Sequence, residues 1–134
     1  MSLEFARRSY GRAAQAGLTA PEDPHAIIGV ALTELHGALE ALSHAVAAGD
    51  HLPPSPMTRA LSAIYLLQNS LDFERGGDIA PALFQVYEYC RVQVVAAFRR
   101  EIEDPEGIAK ALSFIASLRG AWSQIGQQPS GAIG

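Results

Sequence analysis

Apolar residues return every three or four positions through four separate stretches of the chain, which is the spacing of one face of a helix. In the first stretch, about 24 to 48, Ile28, Leu32, Leu35, Leu39, Leu42 and Val46 step by four and three in alternation. That alternation is the seam of helices packed side by side. A second stretch, about 56 to 74, carries Met57, Leu61, Ile64 and Leu71, with Gln68 interrupting the row. The third, about 79 to 102, carries Ile79, Leu83, Val86, Cys90, Val94 and Ala97, and the fourth, about 105 to 125, Ile108, Leu112, Ile115, Leu118 and Trp122. Valine and threonine are sparse and no segment alternates cleanly, so strands are not expected.

The breaks between stripes are punctuated alike. Asp23-Pro24, Ser55-Pro56 and Asp104-Pro105 each place an N-cap side chain before a proline at the first helical position. At the fourth break, Gly76 and Gly77 supply the positive φ of a helix end, Asp78 is placed to cap the next helix, and Pro81 falls in its first turn. The linkers, 49–54, 75–77 and 103–104, are short and force antiparallel neighbours. The expected fold is therefore all-α, an antiparallel up-down-up-down four-helix bundle forming a single domain over 1–134. Residues 1–22 are expected to be a mobile N-terminal arm and 126–134 a flexible tail.

The third stretch has more apolar surface than one seam uses. Phe84, Tyr87, Val95, Phe98 and Ile102 form a second row, broken by Arg91, and Tyr65, Leu67, Ala111 and Phe114 extend it on the neighbouring helices. Splayed helices could fill that space themselves, an amphipathic partner segment could occupy it as a groove, or two copies of the chain could meet there.

Composition narrows the function. With 49% hydrophobic and 18% charged residues, a net charge of −4 and a pI near 5.5, nucleic acid is not the expected partner. The single cysteine, Cys90, excludes an internal disulfide and fits a reducing compartment. Its place in a core row suits a buried hydrophobe better than a reactive thiol. Met1 to Arg12 has no apolar run of the secretory kind, and the run Ala26 to Leu32 falls short of a membrane span, so a soluble cytoplasmic protein without membrane insertion is expected. His25, His36, His44 and His51 lack the paired Glu-x-x-His of a di-iron bundle; the only such spacing, Glu22 to His25, straddles a proline. No phosphate loop, nucleophile elbow or zinc spacing occurs, so no catalytic residue, metal or cofactor is assigned.

The segment Leu71-Asp72-Phe73-Glu74-Arg75-Gly76-Gly77-Asp78-Ile79-Ala80, followed by Leu83, Tyr87 and Tyr89, resembles the flagellin export chaperones of the FliS family. The likeness runs forward to Asp104 and to Leu118-Arg119-x-Ala121-Trp122, and back to Tyr10 and Thr19-Ala20, covering about residues 10 to 125. It implies a chaperone, not an enzyme, which holds the disordered C-terminal segment of flagellin, prevents its polymerisation and keeps it deliverable to the flagellar export apparatus by type III secretion. The free protein would be a monomer or weak homodimer. The client contacts it suggests are Leu71, Tyr87, Val94 and Phe98, with Tyr10 as a cover that the client displaces. The alternative is a helical adaptor for another secretion or regulatory protein. The chain departs from the family at Ala31-Leu32-Thr33-Glu34, where a Leu-Tyr-Asp-Gly run is usual, at Gln93-Val94, where an Arg-Leu pair is usual, and at Phe98, where an asparagine is usual.

Overall fold

A computed structural model describes residues 24–127. They form four helices, α1 (Pro24–Ala48), α2 (Pro54–Asn69), α3 (Ile79–Arg99) and α4 (Gly107–Gln127), with no strand among the described residues. The expected arm, Tyr10 included, lies outside the described residues, as does the tail beyond Gln127. The helices build an all-α four-helix bundle. α1 packs on α2 and α4, and α3 closes the ring by packing on the same two helices less extensively.

The leucine row of α1 is the centre of the core. Leu32, Leu35, Leu39 and Leu42 are wholly buried, together with Ala31 and Ala38. Around them stand Ala60, Ala63, Ile64 and Leu67 of α2, Tyr87, Cys90, Val94 and Ala97 of α3, and Ile108, Ala111 and Ile115 of α4. Removing one such leucine from water is worth about 1.5–3 kcal/mol. α1 is also long and apolar enough to cross a membrane by length and composition, more so than the short run Ala26 to Leu32 suggested. Its leucines are instead enclosed by the other three helices.

Several expected boundaries and faces shift. α2 ends at Asn69 rather than near 74, because the carboxylate of Asp72 accepts from the backbone N–H groups of Glu74 and Arg75, both at 3.0 Å, and turns the chain out of the helix. Its buried face is set by Ala60, Ala63 and Leu67, while Met57 and Leu61 are only partly buried. Ile79, expected in the core, is 69% exposed, since it opens α3. Tyr87, Leu67 and Ala111, expected in the outer row, belong to the core. Neither Asp78 nor Ser55 acts as the expected cap: the side chain of Asp78 makes no capping bond, and Ser55 lies inside the first turn of α2, which begins at Pro54. Asp104 accepts from Glu106 N at 3.0 Å and from Lys110 Nζ at 2.7 Å in the turn before α4, which begins at Gly107 rather than at the expected Pro105.

Two turns place α3. At its start Gly76 donates to the Asp72 carbonyl at 2.8 Å, so closely that an added Cβ would lie 2.7 Å from that oxygen. Gly77 follows with φ +53 in open space. At its end Arg100 adopts the left-handed conformation, φ 58 and ψ 35, so that its N–H reaches Ala97 O and that of Glu101 reaches Ala96 O. A non-glycine residue there carries a steric cost of about 1–2 kcal/mol. Replacing Arg100 by glycine is therefore expected to stabilise the fold by about 1 kcal/mol, although the side-chain contact of Arg100 with His51 is lost. Gly77→Ala is expected to destabilise it by a similar amount, about 1 kcal/mol. Urea denaturation of the two variants checks the opposite signs.

Candidate functional site: the two flanks of α3

Because α3 is the least engaged helix, both of its flanks keep apolar side chains near the surface. On the flank toward α2, helical steps of three and four align Phe84, Glu88, Arg91, Val95 and Phe98. Phe98 is 53% exposed, and Tyr65 of α2 is exposed beside this flank. Phe73, in the turn after α2, meets Phe84 with ring centroids 6.1 Å apart. On the flank toward α4, Tyr89 meets Phe114 edge-on at 5.8 Å, and Gln93 lies directly over Gly107. Phe114, Leu118, Ala121 and Ile125 continue that apolar side along α4 by the same steps, and Phe114 and Ile125 are exposed.

The α2 flank has one polar interruption. Arg91 donates through Nε and Nη2 to the two carboxylate oxygens of Glu88, at 2.9 and 2.5 Å, and Gln68 of α2 donates to Glu88 Oε1 at 3.2 Å. The bonds from Arg91, and then from Gln68, hold the Glu88 carboxyl down at about 2. The same pairing raises Arg91 further, with a small favourable contribution from Tyr65. This cross-helix clasp ties the flank of α3 to α2.

The residues expected to meet a client fall into separate classes. Phe98 stands at the surface, and Leu71 is partly buried in the turn after α2, packed against the core. Tyr87, 3% exposed, and Val94 lie beneath the surface in the core cluster, because the buried arc of α3 is wider than one seam. The surface places near them belong instead to Phe84, Arg91 and Val95. Burial pushes both the Tyr87 phenol and the Cys90 thiol up to about 12, so neither ionises at neutral pH. Among the described residues no group of three or more His, Cys, Asp or Glu is gathered as a metal would need.

A concave region lies away from α3, between α1 and α4. His25, Gly29, Val30 and Thr33 of α1 and Arg119 and Trp122 of α4 line an open groove of about 670 Å³. Its end is closed by Trp122, which stacks on His25 with centroids 4.6 Å apart and planes at 7°. Trp122 Nε1 also donates to the His25 carbonyl at 2.8 Å, and His25 Nε2 lies 3.0 Å from the Trp122 carbonyl. The spacing Glu22 to His25 drew attention to that histidine only as a metal ligand, and Trp122 was counted as core. Nothing in the periodicity joins the first turn of α1 to the last turns of α4.

The region around α3 combines apolar rows, one fixed ion pair and two side chains whose ionisation burial suppresses. A family profile described as Flagellar protein FliS matches residues 6–129. The flagellar secretion chaperone FliS of Vibrio cholerae serotype O1 (strain ATCC 39315 / El Tor Inaba N16961) is 30% identical over 106 residues, covering 76% of this chain and 74% of that protein. No solved structure matches.

Two measurements probe the site. Cys90 is expected to resist thiol reagents in the native protein and to react only at the rate of opening, which timed labelling with and without urea checks. Glu88, lowered from 4.5 to about 2, contributes stability that is present above about pH 4.5 and is lost as pH falls through about 2. Since the pair is partly exposed, Glu88→Gln is expected to cost only about 0.5 kcal/mol near neutrality, and the difference from the parent protein should close by about pH 2 in paired pH-dependent melts.

Proposed function

The chain belongs to the FliS family of flagellar secretion chaperones, and on that premise we propose that it binds the disordered C-terminal segment of flagellin in the cytoplasm. Binding prevents premature polymerisation and keeps flagellin deliverable to the type III export apparatus. The observation that carries this reading is the exposed apolar side chains around α3, among them Phe98 and, on its neighbours, Tyr65 and Phe114. Ordering a disordered client consumes roughly 2–5 kcal/mol of gross interaction, so a broad apolar contact is required and no catalytic group is.

In this reading Phe98 and Leu71 touch the client. Tyr87 and Val94 support the helix from within. Tyr10 covers the vacant site and is displaced by the client. Phe98, standing where the family usually has asparagine, makes the surface more apolar and suits a client with a larger hydrophobic residue opposite it. The unusual Gln93 is spent against Gly107, so the α4 flank offers no cation at that position.

Adding a flagellin C-terminal peptide is expected to raise helicity by circular dichroism and to give a one-to-one complex on size exclusion. Phe98→Glu should weaken that complex by about tenfold or more, about 1.4 kcal/mol, and leave the melting temperature almost unchanged. If no flagellin segment from the same organism binds at micromolar concentration, the alternative of an adaptor for another secretion or regulatory protein takes its place.

A further inference from the structure

Arg91 sits seven residues after Phe84 and seven before Phe98, two helical turns from each and about 10 Å along the axis. An arginine in the middle of an apolar row is ordinarily a mobile side chain that swings into water. This one is held. Glu88 grips the edge formed by Nε and Nη2, and Glu88 is itself fixed by Gln68 across the α2–α3 seam. The Arg91 side chain is 41% exposed, and among the described residues Glu88 is its only hydrogen-bond partner. Its Nη1 edge is therefore a set of unspent donors in fixed position, flanked by Phe84, Val95 and Phe98.

We propose that Arg91 is a specificity-determining residue for the client: its free edge selects a segment with a side-chain oxygen acceptor, a carboxylate or an amide, in the middle of an otherwise apolar face. This rests on the chaperone reading and deepens it. A wholly apolar segment laid over the flank would cover those N–H groups without a partner, which is penalised more heavily than a matched bond is rewarded. A client with an acceptor at that place, and apolar residues about two turns to either side, satisfies the donors and fills the row at once. Because Glu88 and Gln68 have already ordered the guanidinium, little rotamer freedom remains to be lost when the client docks.

The test is a double-mutant cycle measured by titration calorimetry, combining Arg91→Met, which keeps the aliphatic stem, with alanine substitutions at the polar positions of a flagellin C-terminal peptide. One polar position is expected to lose about tenfold in affinity against the parent protein and to lose nothing against Arg91→Met. Salt dependence of that coupling marks a carboxylate, and its absence an amide. Glu88→Gln, which unpins the arginine without removing it, is expected to weaken the parent peptide several-fold, and melting curves establish that each variant is folded. If the parent peptide binds but no position couples to Arg91 by more than about twofold, the proposed selection is overturned while the chaperone reading stands. If the parent protein binds no flagellin peptide at all, both fall together.

Discussion

Burial of Leu32, Leu35, Leu39 and Leu42 joins α1 to α2 on one side and to α4 on the other, and α3 is held through those two neighbours. That order of engagement governs the surface. The helices around α1 meet it with alanines, Ala60 and Ala63 from α2 and Ala111 from α4, so backbones approach closely and leave little to fill. α3 contributes Tyr87, Cys90 and Val94 to the same core but has flanks to spare. An added segment can therefore lie along α3 without competing for the contacts that hold the bundle together.

Electrostatics follow the same division. Cys90 and Tyr87 are kept neutral by burial. The strongest charge pairing on the α3 surface, Glu88 with Arg91, is linked through Gln68 to α2 and stands within the aromatic row rather than apart from it.

How much of this could be read from the residues differs from helix to helix. The four-three alternation of α1 was legible because leucines carry most of its buried row, although Ile27 rather than Ile28 is buried at its start and Ala31 and Ala38 share the face. In α2 the expected Ile64 is wholly buried, but Met57 and Leu61 are only partly so, and Ala60 and Ala63 share the buried face although alanine scarcely registers in a hydropathy row. Ile79 fitted the period of α3, but a first-turn residue has no neighbour beyond the helix end to cover it. Tyr87 fitted both rows of α3, and only packing could assign it to the core. The segment from Leu71 to Ala80 was legible as a reversal, yet Asp78 makes no capping bond with its side chain, and it is the Asp72 carboxylate that organises the turn, accepting from Glu74 and Arg75 N–H. The period put Phe98 in the outer row without saying what covers it, and packing leaves it 53% exposed. The clasp of Gln68 on Glu88 was beyond reach, because it links residues on different helices.

The stack of Trp122 on His25 has a practical side. Trp122 is the protein's only tryptophan, so intrinsic fluorescence comes from one place, the seam where the last turns of α4 meet the first turn of α1. Its emission reports on that seam, where Trp122 stacks on His25 and donates to its carbonyl. The optical signal thus belongs to the α1–α4 seam, and the Glu88–Arg91 clasp to the α2–α3 seam, of the same small protein.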